Sequence, residues 1–390
     1  MRKIKILRII ARLNVGGPAI HTILLTHGLN AQRYSTMLVT GREDEFEGNM
    51  LSLAKEKVVE PVFIDSLQRE IKFSKDWDAF WKIYSLIRKQ KPDIVHTHTA
   101  KAGALGRLAA KLAGVPLIVH TFHGNTFHGY FSSAKEKIFV IIERFLCSFT
   151  DAVITVSLKG SEDLLEKRVI KKEKIVNIPL GLELEKFLGC KAHEGELRRE
   201  LGFLKEDMLV GIVARLVPIK GHTYFLEAAK IVLEEKPETK FLIVGDGELR
   251  KDLEEYAEKL KIEKSIFWTG FRSDLERIYA DLDVVVLSSI NEGLPVAIIE
   301  AMSSSKPVVA TDVGGVKELV KNNENGIVVK SQDPQALARA ILSLLSLEKN
   351  KLKEMGEHAK NMAYPMFSIK RLVSDVENLY EDLLKKRNFK

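Results

Sequence analysis

Cysteine is nearly absent: Cys147 and Cys190 are the only two in 390 residues. That excludes a disulfide framework, and neither residue sits in a C-x-x-C pattern for metal or redox chemistry. Long apolar runs are lacking too. The longest uncharged stretch, Leu112 to Ala134, contains Pro116, three histidines, Asn125 and several glycines, so it is no continuous membrane helix. The first twelve residues begin like a leader, but Arg8 and Arg12 interrupt the apolar run and no small-residue cleavage site follows, so the segment reads as a buried strand. No low-complexity segment, solenoid repeat or nucleic-acid motif is evident, and no basic stripe is interleaved with aromatics. A cytoplasmic protein that does not bind nucleic acid is the expectation.

What is present is a regular alternation of short apolar runs and longer amphipathic stretches, the signature of parallel sheets crossed by helices. Strands are expected near Ile4–Ala11, Ser35–Val39, Val62–Ile64, Ile94–His96, Leu117–His120, Ala152–Thr155 and Ile175–Ile178, with helices over Trp77–Lys89, Ala102–Ala113 and Ala134–Phe149. The pattern then repeats, with strands near Leu209–Val213, Lys240–Val244, Ile266–Thr269, Val284–Leu287, Val308–Ala310 and Gly326–Val329. A chain of this length exceeds one ordinary core, and the switch between halves falls near Pro179 to Leu182, with Glu183–Cys190 reading as linker. Charge divides unevenly. Residues 1–180 hold 28 Lys/Arg against 18 Asp/Glu, whereas residues 181–390 hold 32 against 35. The basic half suits an anionic membrane leaflet or a lipid diphosphate; scattered solubilising charge is the competing reading.

The most informative segment is Ser289 to Glu300. Glu292 precedes a Gly293-Leu294-Pro295 turn, and Pro295 suits the first position of a helix that carries Glu300 just over a turn inside. A helix N-terminus attracts phosphate oxygens, and carboxylates beside it accept hydrogen bonds from sugar hydroxyls, a combination that fits a nucleotide-sugar. Upstream, Arg215 and Lys220 lie in the loop after another buried strand, where two fixed cations neutralise a diphosphate. Alone, they would be ordinary solvated charges.

Other motifs have dull readings beside sharp ones. Gly16-Gly17 allows close backbone approach to phosphate or sugar, yet such a turn after a strand is common. His96 and His98 have a spacing seen in metal sites, but no nearby cysteine or carboxylate completes a set. Asp281-Leu-Asp283 spells the D-x-D of metal-dependent transferases, while its position between an amphipathic stretch and a strand favours a structural junction. Gly245-Asp-Gly247 lacks the third glycine of a dinucleotide fingerprint.

Taken in order, Gly16-Gly17, Asp93 to Gly103, His120 to Gly124, Arg215 to Lys220, Val244 to Gly247 and Glu292 to Glu300 give a sequence that resembles glycosyltransferase family 4 over nearly its whole length. The stretch Ala102 to Arg107 and the loop His128-Gly-Tyr130-Phe131 are most similar to polysaccharide-assembly members. The resemblance implies an α/β GT-B fold of two Rossmann-like domains whose parallel sheets face across a cleft. Residues 1–182 would bind acceptor, completed by a C-terminal helix in 368–390, and residues 183–367 would bind the nucleotide-sugar.

It further implies a retaining, metal-independent hexosyltransferase that moves sugar from a UDP- or GDP-linked donor to a glycan or lipid-linked acceptor hydroxyl in polysaccharide or glycoconjugate synthesis. In that reading Glu300 holds the ribose, Glu292 with the backbone of Gly293 and Leu294 holds sugar and phosphate, and Arg215 and Lys220 stabilise the leaving diphosphate. The backbone at Phe271-Arg272 meets the base, Gly16 and Gly17 lie near diphosphate and acceptor, and His123 approaches the donor sugar, with no cofactor or metal required. His120 competes with His123 but sits on the strand, as a structural histidine would. A nucleotide-sugar epimerase of the same architecture and a transferase acting on a small soluble acceptor are the alternatives. Peripheral attachment to anionic membrane is expected through Phe127, Tyr130 and Phe131 and the following helix with Lys135, Lys137, Ile138, Phe139 and Ile142; the competing reading puts the aromatics in the acceptor cleft and Phe139 and Ile142 in the core.

Overall fold

A computed structural model describes residues 2–43, 48–68, 70–124 and 133–387. The chain divides into two units, Met1–Leu182 with Ser368–Lys390, and Glu183–Phe367. In the first, seven strands form one sheet: β1 (Ile4–Ile10), β2 (Tyr34–Thr40), β3 (Val62–Phe63), β4 (Ile94–His98), β5 (Leu117–Phe122), β6 (Ala152–Thr155) and β7 (Ile175–Asn177), in the order β3-β2-β1-β4-β5-β6-β7. Every pairing is parallel. In the second unit β8 (Leu209–Val213), β9 (Lys240–Val244), β10 (Ile266–Gly270), β11 (Val284–Leu287), β12 (Val308–Thr311) and β13 (Gly326–Val329) form a sheet in the order β10-β9-β8-β11-β12-β13, again all parallel.

Burial explains why these segments are strands. β4, β5 and β6 are buried at every position, as befits strands covered by helices on both faces. Charge enters this interior at Arg8, where hydroxyls take up part of its hydrogen bonding. Arg8, fully buried in β1, donates to Thr26 Oγ1 at 2.8 Å and to Tyr380 Oη at 3.2 Å. The interruption that argued against a leader is therefore a buried polar link between β1 and the helix Ile369–Lys386, which lies in the first unit. That helix starts on Ser368, whose hydroxyl accepts from the Arg371 amide, and it buries Leu372, Val376, Tyr380 and Leu384.

The helix Ala100–Leu112 packs tightly on the sheet because it carries glycines at the contact. A Cβ at Gly103 would lie 2.5 Å from the His120 ring, and one at Gly106 would lie 2.7 Å from Thr97. The neighbouring Arg107 makes a fully buried ion pair with Glu143 of the helix Ser133–Ser148, its Nη2 donating to Oε1 at 2.9 Å and to Oε2 at 2.7 Å.

Two readings need correction. Glu183–Cys190 is no loose linker: it includes the helix Glu185–Leu188, and Leu184, Phe187 and Cys190 are buried in the second unit. Pro295 is the residue before the helix rather than its first position, since the helix runs Val296–Ser303 and Pro295 keeps an extended ψ of 116°. Phe127, Tyr130 and Phe131 lie outside the described residues, as does the Lys135 side chain.

Candidate active site

In each sheet the strand order reverses once, between β1 and β4 and between β8 and β11. Open parallel sheets bind ligands outside the carboxyl ends of the strands at such reversals, because adjacent loops there diverge to opposite faces. In the second unit the loop after β8 carries Arg215 and Lys220, and the loop after β11 carries Glu292. The fold thus delivers residues 72 positions apart to one place: Lys220 Nζ donates to Glu292 Oε1 at 2.6 Å. Ser289 Oγ donates to the same oxygen, also at 2.6 Å.

Backbone contacts hold these loops. Ile290 N donates to Ile219 O at 2.8 Å, and Ser288 Oγ to Lys220 O at 3.0 Å. From β12 comes a third loop, where Gly314 has φ 53° and packs so close that a Cβ would lie 2.0 Å from Glu292 O. Only glycine fits there, and Gly315 N donates to Gly293 O at 2.8 Å. Glu292 is thereby clamped from both sides. Arg215 is half-buried in the first of these loops, and its guanidinium meets no acceptor among the described residues. A half-buried cation without a protein counter-ion, on the loop that also carries the paired Lys220, is suited to an anionic group.

Glu300 sits on the helix Val296–Ser303, which starts after Gly293, Leu294 and Pro295. Its carboxylate is buried and accepts from Tyr279 Oη at 3.1 Å. Burial pushes its pKa up to about 7, opposed by the Lys186 charge and the Tyr279 hydrogen bond. A carboxylate so short of donors gains most from hydroxyls supplied by a ligand. Tyr279 and Lys186 carry no motif in the sequence; Tyr279 belongs to an amphipathic stretch, and Lys186 lies in the segment read as linker.

The remaining predicted positions fall as follows. Phe271, just past β10, is exposed by 46%, whereas the Arg272 side chain is consumed by Asp274 and Glu200, leaving its backbone as the part available to a ligand. Asp281 accepts from the Arg198 amide at 3.0 Å and Asp283 from the Leu209 amide at 2.8 Å. This D-x-D segment is a structural junction. Gly16 has φ 156° ahead of the helix Gly17–Gly28, and Gly17 opens that helix with Pro18. Both lie after β1, at the first unit's own reversal point.

His123 follows β5 directly, and the fold places it beside two histidines that the sequence did not group with it. His98 Nδ1 and His123 Nε2 are 2.9 Å apart, and the His21 and His123 rings lie 4.9 Å apart. Burial pushes the His123 pKa down to about 3 and those of His21 and His98 well below the ordinary value, so all three are neutral. The sequence pair His96 and His98 stays stacked, at 4.4 Å between ring centroids, but the two differ in their partners: His96 is engaged by Tyr380 Oη at 2.6 Å and Thr121 Oγ1 at 2.7 Å. His120 is buried with Nδ1 at 2.8 Å from Thr97 Oγ1, a structural position.

Known proteins share this organisation. Residues 15–186 match the family described as Glycosyltransferase Family 4, and residues 194–362 match Glycosyl transferases group 1. The UDP-Gal:alpha-D-GlcNAc-diphosphoundecaprenol alpha-1,3-galactosyltransferase of Escherichia coli is 34% identical over 330 residues, covering 84% of this chain and 84% of that protein. The capsular polysaccharide biosynthesis glycosyltransferase CapM of Staphylococcus aureus is 26% identical over 329 residues, covering 82% of this chain and 84% of its own length. Among solved structures, Anabaena HepE in complex with UDP-glucose superposes with a TM-score of 0.81 at 21% identity, covering 97% of this chain and 99% of that one. Fold and sequence together define a GT-B glycosyltransferase, built from two parallel-sheet Rossmann-like domains. The chain belongs to glycosyltransferase family 4 and acts on nucleotide-sugar donors.

Proposed function

We propose that the protein is a retaining, metal-independent hexosyltransferase that takes sugar from a UDP-linked donor and passes it to a lipid-diphosphate-linked glycan. The observation that carries this reading is the Lys220–Glu292 pair at the second unit's reversal point, with the half-buried Arg215, which has no counter-ion among the described residues, on the same loop as Lys220. In the reaction Arg215 and Lys220 stabilise negative charge as it grows on the leaving diphosphate. Glu292 and the backbone of Gly293 and Leu294 hold the sugar and phosphate, Glu300 the ribose hydroxyls, and the Phe271-Arg272 backbone the base. From the first unit, Gly16, Gly17 and His123 serve the reacting groups, roles that follow the family resemblance. The departing phosphate accepts the proton of the acceptor hydroxyl on the same face. No side chain is then needed as nucleophile.

The choice of UDP is supported by the UDP-Gal named for the Escherichia coli relative and the UDP-glucose bound by HepE, and the lipid-diphosphate acceptor by the diphosphoundecaprenol named for that relative. A membrane-borne acceptor also suits the first unit. Among the described residues no helix is long and apolar enough to cross a membrane. On the helix Ser133–Ser148, however, Ile138, Ile141, Ile142 and Phe145 are exposed by 59, 62, 44 and 60%, forming one apolar stripe, while Phe139 packs inward. Residues 1–180 carry the excess of 28 Lys/Arg over 18 Asp/Glu. We therefore assign this stripe to peripheral contact with an anionic, cytoplasmic leaflet.

Incubation with a panel of UDP- and GDP-sugars, with and without a polyprenyl-diphosphate-linked GlcNAc acceptor, tests the reading by mass spectrometry of products and NMR of the new anomeric centre. Sugar transfer to the lipid acceptor with the donor configuration kept is the expected result. Donor turnover without acceptor would identify an epimerase, transfer only to water-soluble sugars would remove the lipid acceptor, and an inverted product would remove retention.

A further inference from the structure

Three histidines converge in the first unit from separate elements: His21 from the helix Gly17–Gly28, His98 from the end of β4, and His123 from the residue after β5. One ring nitrogen of each lies within 4.8 Å of the others. His21 and His98 are buried, and His123 is the member with partial access to solvent. Their hydrogen bonding is incomplete. Both nitrogens of His21, Nε2 of His98 and Nδ1 of His123 are buried without a partner among the described residues. Buried polar atoms left unpaired are costly, and His21, with neither nitrogen paired, has a lone pair to give to a ligand where the three rings converge; the unpaired nitrogens of His98 and His123 are the ones on the far side of each ring.

Chemistry narrows what is missing. The rings are neutral and present lone pairs, the form in which imidazole ligates metal. A tetrahedral zinc site takes three histidines with Zn–N near about 2.1 Å and leaves the fourth position for an oxygen ligand. The 2.9 Å contact between His98 Nδ1 and His123 Nε2 needs a shared proton, which stands where an ion would lie between the two lone pairs. His21 has no hydrogen bond to break in turning toward that point. His98 is held by stacking on His96, at 4.4 Å between ring centroids, and His96 is itself fixed by Tyr380 and Thr121. With no thiolate or carboxylate in the set, a borderline transition ion is favoured over Mg²⁺ or Ca²⁺. The Arg8 charge bears on His21 and His98 and opposes a bound dication, an opposition that an anionic oxygen in the fourth position offsets.

From this geometry we infer that His21, His98 and His123 form a binding site for Zn²⁺ or a similar divalent transition ion, with hydroxide or another anionic oxygen as the fourth ligand. The diphosphate is assigned to Arg215 and Lys220, so turnover does not require the ion. One consequence rests on the proposed function: an ion on His123 removes that ring from its role at the donor sugar, and Zn²⁺ should inhibit.

Equilibrium dialysis of the full chain, stripped with chelator, against Zn²⁺ and Co²⁺ tests the site without reference to activity. One ion per chain is expected, with Co²⁺ giving the intense visible absorption of a tetrahedral centre. His21→Asn and His98→Asn should each weaken binding by more than about tenfold, while His193→Asn on the surface should not. Failure of the chain to take up ion, a weak octahedral Co²⁺ spectrum, or affinity unchanged in folded H21N and H98N would overturn the site. The Co²⁺ spectrum of the parent chain decides even if a variant does not fold. Metal uptake without inhibition would leave the site standing and count against the role given to His123.

Discussion

Lys220 Nζ lies 2.6 Å from Glu292 Oε1, and the two side chains are exposed by only 22 and 10%. The pair preorganises Lys220 for a second partner. An ammonium has three donors, and those not used by Glu292 are available to a diphosphate. Lys220→Ala and Arg215→Ala should each lower kcat by about 10²–10³, equivalent to about 2.7–4 kcal/mol in the barrier. Steady-state kinetics beside thermal melts is the check, and a parental kcat in either folded variant would remove that residue from the mechanism.

Donor binding should depend on the Glu300 carboxylate. Ribose hydroxyls donating to a buried anion contribute about 1.5–3 kcal/mol, so Glu300→Ala should weaken donor affinity by roughly tenfold or more. Because the free carboxyl has its pKa pushed up to about 7 by burial, hydroxyls that stabilise the anion will expel a proton near neutral pH. Calorimetry in buffers of different ionisation enthalpy should detect that release in the parent and lose it in Glu300→Gln. Equal affinities, or buffer-independent heats in the parent, would exclude the assignment.

The same group makes stability depend on pH. Its folded pKa lies above the ordinary value of 4.5, so its contribution is fully present below about pH 4.5 and is lost as pH rises through about 7. The span is about 3 kcal/mol. Relative to Glu300→Gln, the parent should lose stability between pH 5 and pH 8 in denaturant titrations. Parallel profiles would show that Glu300 does not titrate in this range.

Activity should survive excess EDTA, because Arg215, Lys220 and the helix Val296–Ser303 supply the charge that a divalent ion supplies elsewhere. Loss on chelation with specific recovery in Mg²⁺ or Mn²⁺ would demand a metal at the diphosphate.

Removing Glu143 should destabilise the first unit by about 3–5 kcal/mol, since Glu143→Ala strands the fully buried Arg107 guanidinium without its counter-ion. The paired change Arg107→Leu with Glu143→Leu should cost much less. Equal losses for the single and double variants would mean that packing, not charge, dominates here.

Vesicle cosedimentation at low ionic strength should show reversible binding to anionic lipid that weakens with salt. Ile141→Glu with Phe145→Glu should abolish it without unfolding, as both side chains point to solvent. Absence of binding by the parent would leave acceptor delivery by another protein.

Much of this organisation was legible before any coordinates. Strand period and apolar runs marked β8, β9 and β11 with their observed bounds, because a strand buried on both faces must be continuously apolar whatever surrounds it. The sequence also put Arg215, Lys220, Glu292 and Glu300 at the ends of strands or the mouth of a helix, since those are local features. What distant segments do to one another was not legible. Only the tertiary structure joined Lys220 to Glu292, left Arg215 without a side-chain partner among the described residues, buried Glu300 against Tyr279, and brought His98 together with His21 and His123. Sheet order decides which loops become neighbours, and burial decides which of their groups stay charged; neither is encoded in the spacing of residues along a single segment.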